Sequence, residues 1–390
     1  MYNFDEIIDR QGSHCVKIER MTEIWGRNDL LPLWVADMDF KTPPCIMDAI
    51  KERLKHEVLG YTCPHEGYYA AIIHWLHKRY GMEARKEQIQ FVPGIVPGIN
   101  MTLHALTQRG DRIIVQPPVY HPFRQVIEGS GRILVNNPLV LKEDRFYLDF
   151  AHLRKVIKGC KVLILCNPHN PGGRVWSVEE METLAEICAK HGVMVLSDEI
   201  HADLTLPPHK HLPFAMVSPE AREASVTFMA PSKAFNMPGL VASHLVVYND
   251  VLREKLFHYI RYNDLDLGNV FAFLGVEAAY NHGASWLEQL LVYIQSNIDF
   301  VDQYLQRSMP KIKAMRPQAS YLLFLDCREL GFATPEALDH FFVAGAGLAL
   351  NNGALFGEEG RGFMRMNTAA PRSVLERAMR QLEKAYNTLN

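Results

Sequence analysis

The stretch KVLILCNPHNPGGRVWSVEEMETLAEICAKHGVMVLSDEI (residues 161–200) holds two short apolar runs separated by one amphipathic segment. The runs KVLILCNP (161–168) and VMVLSDEI (193–200) are brief and rich in Val, Ile and Leu, the pattern of strands covered on both faces. Between them, SVEEMETLAEICAKHG (177–192) reads as a helix. Ser177 stands at the cap, Glu180 follows three residues later in capping-box position, and Gly192 ends it. Met181, Leu184, Ile187 and Cys188 fall on one face. Buried strands joined through an amphipathic helix indicate an α/β fold with a mostly parallel sheet.

The same texture extends outward. DRIIVQPP (111–118) and ASHLVVYN (242–249) are further strand-like runs, and FVPGIVPGINMTLHAL (91–106) places Gly94 just before an apolar helical stretch. Beyond residue 285 the pattern changes. PQASYLLFLDCREL (317–330) and GFMRMNTA (362–369) read as strands, while TPEALDHFFVAG (334–345) and RSVLERAMRQLEKAYNTLN (372–390) read as helices. These predict a large domain over 46–284 and a smaller α+β C-terminal domain over 285–390. A long helical stretch around 285–309 connects them. Residues 1–45, with Pro32, Pro43 and Pro44, read as an extended arm packing with the small domain.

Composition narrows the function classes. The chain has 390 residues, 48% of them hydrophobic and 22% charged, with a formal net charge of -3 and no basic block or acidic tail, so no nucleic-acid partner is expected. The start MYNFDEIIDRQGSH lacks the apolar core of a signal peptide. No run approaches the roughly 18 apolar residues of a membrane span, so no membrane partner is expected. Seven cysteines are scattered without a CxxC pair, as in a reduced cytoplasmic protein. No metal site is expected.

Several polar residues follow the apolar runs, at the edge where open α/β sheets bind ligands. Tyr120 follows IIVQPP, Asn170 follows LILCNPH, Asp198 closes VMVLS, and Lys233 follows TFMAPS. Each has an ordinary structural reading: a rim aromatic, an asparagine turn, a turn cap, and a lysine that snorkels to water. Each also has a chemical one. A desolvated lysine amine is a nucleophile toward an aldehyde, and a carboxylate at a strand end suits an aromatic N–H cation. An amide donates to a phenolate-like oxygen, and a tyrosine ring stacks on a planar ligand. Backbone N–H groups at the helix start after Gly94 suit a phosphate. Together these are the requirements of pyridoxal 5′-phosphate.

The motifs NPHNPGG (167–173), SDEIH (197–201), PSKAFNMPG (231–239) and the arginine of FMRMN (363–367) resemble, in order, those of fold-type I pyridoxal-phosphate enzymes, the PLP-dependent transferase fold of the aminotransferase superfamily. LPLWVADMDF (31–40), GYT (60–62), PPVYHPF (117–123), SDEIHAD (197–203) and GEEGRGFMRMN (357–367) bring the chain closer to MalY/PatB-type C–S β-lyases, the cystathionine β-lyases. The resemblance implies that Lys233 carries the cofactor as a Schiff base and that Asp198 pairs with its ring nitrogen. It implies that Asn170 donates to the ring oxygen, that Tyr120 stacks on the ring, and that Arg365 grips the substrate α-carboxylate. Ala36 joins the substrate contacts. Tyr61 reaches the neighbouring subunit's cofactor phosphate and substrate, which implies a homodimer with shared active sites. Two positions depart from the common aminotransferase pattern. His201 stands where a tyrosine is frequent, and Val241 where an arginine binds phosphate eight residues after the lysine. The phosphate then relies on Gly94, Ile95, Val96, Ser232 and Tyr61.

The implied reaction is β-elimination from a cysteine-type S-substituted amino acid such as cystathionine, giving thiol, pyruvate and ammonia. An aminotransferase using the same residues is the alternative. A regulatory role through partner binding, known among proteins resembling this chain, is a third reading.

Overall fold

The computed structural model describes residues 1–389. Its centre is a seven-stranded sheet built from β1 (Ile89–Val92), β2 (Arg112–Val115), β3 (Ile133–Asn136), β4 (Cys160–Cys166), β5 (Met194–Asp198), β6 (Ser225–Met229) and β7 (Ser243–Val246), in spatial order β1-β7-β6-β5-β4-β2-β3. Pairing is parallel from β6 through β5, β4 and β2 to β3. β7 alone runs antiparallel to both its neighbours. The sheet is therefore mostly parallel, in an α/β fold. β4 and β5 are buried nearly throughout, as their unbroken Val/Ile/Leu runs require.

Local chemistry sets the helices beside this sheet. α1 (Ile95–Leu106) begins after Gly94, and α2 (Val178–His191) carries the expected capping box between Ser177 and Glu180 and ends at left-handed Gly192. Met181, Leu184, Ile187 and Cys188 are buried, as the apolar face of α2 anticipates.

α3 (Ala284–Ser308) is 25 residues long and leads into an antiparallel four-stranded sheet. Its strands are β8 (Lys313–Met315), β9 (Leu322–Asp326), β10 (Asn351–Asn352) and β11 (Phe363–Asn367), in order β8-β9-β11-β10. In register, Arg365 of β11 lies between Phe324 of β9 and Asn351 of β10. α4 (Arg372–Tyr386) buries Leu375, Ala378, Met379 and Leu382.

The N-terminal segment is less extended than its prolines predict. Val16–Glu19 and Met21–Trp25 are helical, and Ile18, Met21 and Trp25 cluster with Leu30, Trp34 and Ala349. Apolar side chains three and four apart favour a helix once such a surface is there to cover them. Leu31–Pro32 then pairs in parallel with Leu348–Ala349, tying this segment to the C-terminal layer. Among the described residues, no helix is long and apolar enough to cross a membrane.

Candidate active site

A cleft of about 240 Å³ opens at the carboxyl ends of the central strands. Its wall includes Ala36, Gly94, Ile95, Val96, Tyr120, Asn170, Asp198, His201, Ser232 and Lys233, residues drawn from six separate stretches of sequence. β4 and β5 end side by side, with Cys166 opposite Asp198, so the turns that follow them deliver Asn170 and His201 to one place.

Asp198 is 3% exposed and, among the described residues, has no cationic partner within ion-pair distance; there its Oδ1 accepts only the Ile200 N–H at 3.1 Å. Burial pushes its carboxyl up to about 7, against the pull of the Ile200 N–H and the Lys233 charge. Lys233 donates from Nζ to the Ala36 carbonyl at 2.6 Å. Burial, reinforced by the Arg365 charge, pulls its amine down to about 8, so a far larger share is neutral and nucleophilic near physiological pH than in a surface lysine. His201 is buried with Nδ1 unpartnered, and desolvation holds its ring down to about 3, so it is neutral.

Arg365 does not face the cleft alone. Nη1 donates to Asn170 Oδ1 at 3.0 Å, and Nη2 donates to Asn351 Oδ1 at 2.6 Å and to the Trp34 carbonyl at 3.2 Å. The guanidinium lies 4.8 Å from the Phe356 ring centroid. It is 6% exposed, its Nε has no partner, and among the described residues no carboxylate pairs with it. A buried cation held only by neutral groups is costly unless an anion completes the site. Because Asn170 spends its oxygen on Arg365, its amide nitrogen is the end left to donate.

At the far end, Gly94 has φ +111° and caps α1, whose third position is Pro97. The N–H groups of Ile95 and Val96 therefore have no partner within the helix, which makes a small anion cradle at its N-terminus. A Cβ at Gly94 would come within 3.3 Å of Pro97 Cδ, in a conformation other residues avoid. Val241, at the position where an arginine is frequent, adopts a left-handed φ of 52° and borders this end of the cleft.

A model of the aminotransferase class I and II family matches residues 28–382. The chain belongs to that family. Within it, the chain is 41% identical to cystathionine beta-lyase PatB of Bacillus subtilis, over 99% of this chain and 100% of that protein. It is 32% identical to protein MalY of Escherichia coli, covering 100% of both. Cystalysin from Treponema denticola, whose crystal structure contains pyridoxal 5′-phosphate, superposes with a TM-score of 0.96 at 32% identity, covering 100% of each chain. The PLP-bound C–S lyase from Staphylococcus hominis gives 0.92 at 32% identity, covering 99% of this chain and 98% of that one.

Against this family background, nearly all the residues singled out by sequence meet in the cleft or touch a residue that does. Tyr61 is the exception: it is fully exposed and lies outside the cleft of its own chain. Sequence reasoning left out Cys166, Ile200 and Ser243, which line the wall, and Tyr321, whose hydroxyl donates to the Ala36 carbonyl at 2.9 Å. It also left out Asn351 and Phe356, which hold Arg365. No local pattern marks a residue whose role is to hold a side chain 14 positions away on an adjacent strand. The pair His209 and His211 gathers no metal site: His211 turns inward to Glu199 at 2.7 Å while His209 meets Gln318. Among the described residues no cluster of His, Cys, Asp and Glu is arranged for a metal ion.

Proposed function

We propose that this chain is a pyridoxal 5′-phosphate-dependent C–S β-lyase acting on cysteine-type S-substituted amino acids such as cystathionine. The observation that carries the reading is a buried carboxyl, Asp198, and a buried guanidinium, Arg365, neither with an ion-pair partner among the described residues, around a cleft that also holds the depressed amine of Lys233. An amino-acid substrate brings the anion that Arg365 lacks, and a pyridinium brings the cation that Asp198 lacks. The names of the relatives, cystathionine beta-lyase and C–S lyase, support the same chemistry.

The residues present fit the cofactor. Lys233 supplies the amine for its aldehyde, Asp198 the carboxylate for its ring nitrogen, and the Asn170 amide a donor for its ring oxygen. Tyr120 offers a ring face, and Ile95 and Val96 N–H groups with Ser232 cradle the phosphate. His201, neutral and buried, lines the wall without adding charge. Bound pyridoxal phosphate supplies an electron sink beside the substrate α-carbon. Arg365 binds the α-carboxylate in a fork geometry that a point charge does not reproduce. Lys233, whose amine burial depresses to about 8 in the free chain, would take the α-proton as general base. The β-carbon–sulfur bond breaks, the thiolate leaves with the bonding pair, and the three-carbon remainder hydrolyses to pyruvate and ammonia.

The active unit in this reading is a cytoplasmic homodimer. Tyr61 stands fully exposed beside exposed Val58 and Leu59, an apolar edge suited to a second copy. In the dimer Tyr61 would complete the partner's phosphate cradle, where Val241 supplies no charge.

The test is direct. Purified protein loaded with pyridoxal phosphate should release pyruvate and homocysteine thiol from L-cystathionine in equal amounts. Exchange of amino groups with a 2-oxo acid, without thiol release, would instead establish the aminotransferase alternative.

A further inference from the structure

Two polar carriers of the site, Lys233 and Arg365, both end on backbone carbonyls of one short segment, Trp34–Asp39. Lys233 donates to the Ala36 carbonyl and Arg365 to the Trp34 carbonyl. The intervening carbonyls, those of Val35 and Asp37, both accept from Asn367 Nδ2, at 2.7 and 2.6 Å. The alternation is that of an extended chain, in which successive carbonyls point to opposite sides. A slip of one residue would turn the Ala36 and Trp34 carbonyls away from the cleft and bring their neighbours in.

Backbone pairing anchors the segment at both ends: Leu33 N–H donates to the Ala349 carbonyl at 3.0 Å and Asp39 N–H to the Ala369 carbonyl at 2.9 Å, while Asn236 holds Met38. A compact ion cluster adds to these anchors between the two ends. Lys17 is 1% exposed and places Nζ 2.9 Å from Asp37 Oδ1, 2.9 Å from Asp39 Oδ1 and 3.0 Å from the Asp37 carbonyl. Arg10 reaches the same carboxylates, Asp37 Oδ2 at 2.7 Å and Asp39 Oδ1 at 2.8 Å. The indole of Trp34 donates to the Lys17 carbonyl at 3.0 Å, which joins the two ends of the device. Burial pushes the Asp37 carboxyl up, yet hydrogen bonds and charge from Arg10 and Lys17 hold it below the usual carboxylate range. Two cations and two carboxylates thus balance, and each loses its partners only if the segment moves.

We propose that Lys17 and Arg10, acting through Asp37 and Asp39, are positioning residues that tighten Trp34–Asp39 between its backbone anchors and thereby set the poses of Lys233 and Arg365. The N-terminal segment is then part of the substrate-binding machinery without touching substrate. A half-buried ion cluster around a buried lysine suits this role better than apolar contact, because ion pairs with forked hydrogen bonds accept one register and penalise the next. The inference rests on the roles given to Lys233 and Arg365 above.

The test uses the cofactor-loaded protein and three variants, Lys17→Met, Lys17→Arg and Asp37→Asn. Two quantities are measured: KM against kcat for L-cystathionine, and the pH midpoint of the absorbance band of lysine-bound cofactor. Expected are a rise of about tenfold in KM with a smaller fall in kcat for Lys17→Met, a displaced band midpoint in both Lys17→Met and Asp37→Asn, and partial recovery in Lys17→Arg. A wild-type protein that forms no such band overturns the roles of Lys233 and Arg365 themselves. A wild-type band with midpoint and KM unchanged in folded Lys17→Met and Asp37→Asn overturns the positioning role alone. If Lys17→Met fails to fold, Asp37→Asn, which keeps the side-chain volume, gives the same two readouts and decides by the same criteria.

Discussion

Asn170 accepts a hydrogen bond from Arg365 at 3.0 Å, and this one contact orients two functional groups at once. It commits the amide oxygen of Asn170, leaving the nitrogen as the end free to donate, and steadies a guanidinium that has no carboxylate partner among the described residues. Replacing Arg365 by Lys keeps a positive charge but removes the fork that reaches Asn170, Asn351 and a substrate carboxylate together. The expected outcome is a fall of roughly 10²-fold in kcat/KM for L-cystathionine, mostly through KM. Asn351→Ala should give a milder loss in the same direction. Steady-state kinetics of both variants check this.

The amine of Lys233 is depressed to about 8 from an ordinary 10.5 by burial and by the Arg365 charge. Attachment of the cofactor aldehyde needs the neutral amine, so its rate should rise with pH and level off just above 8, well short of the level expected for a surface lysine. Stopped-flow absorbance of the protein freed of cofactor and mixed with pyridoxal phosphate measures this midpoint. Lys233→Ala should form no lysine-bound band and lose about 10³-fold or more of thiol release.

Asp198 has the opposite linkage from a salt-bridged carboxylate. Its folded value, about 7, lies above the ordinary 3.8, so between those values the native chain without cofactor holds a proton that the unfolded chain has released. Its contribution to stability is present at low pH and is lost as pH rises through about 7. His201, depressed to about 3 by burial, contributes in the reverse sense over an overlapping range. The two therefore mask each other in wild type. Thermal melts of cofactor-free wild type and Asp198→Asn should separate them, the difference in Tm growing in favour of the variant from pH 4 to pH 7. A difference independent of pH would contradict a protonated Asp198 in the free chain.

Tyr61 tests whether sites are shared. Lys233→Ala and Tyr61→Ala chains, each of low activity alone, should regain activity when mixed and allowed to exchange subunits. In the mixed dimer one cleft then has an intact Lys233 and an intact Tyr61 from the other chain. No recovery after exchange, verified by native mass spectrometry, would sink the shared-site reading.

Much of the fold was legible because its signals are local. The run 161–200 shows two buried strands and a capped helix by residue type alone, and all three form within a residue or two of where the pattern puts them. The helical turns at Val16–Glu19 and Met21–Trp25 were not legible, since their apolar residues are too few to signal a helix until Leu30 and Ala349 supply a surface to cover. The same contrast runs through the site. Lys233, Asp198, Asn170 and Arg365 each stand in a motif with chemical sense, whereas Asn351 and Phe356 gain theirs only by lying beside Arg365.

The amino-acid sequence by itself determined the strand and helix periods, the caps, and the set of reactive groups: one lysine, one strand-end carboxylate, one amide, one arginine and a glycine before a helix. The tertiary structure alone decided that the carboxyl and the arginine are buried without ion-pair partners among the described residues, that Asn170 spends its oxygen on Arg365, and that Lys17 in the N-terminal segment reaches Asp37 beside the backbone on which Lys233 and Arg365 rest. The physical reason is that desolvation and hydrogen-bond direction depend on neighbours distant in the chain, and a linear pattern carries residue types but not the company they keep.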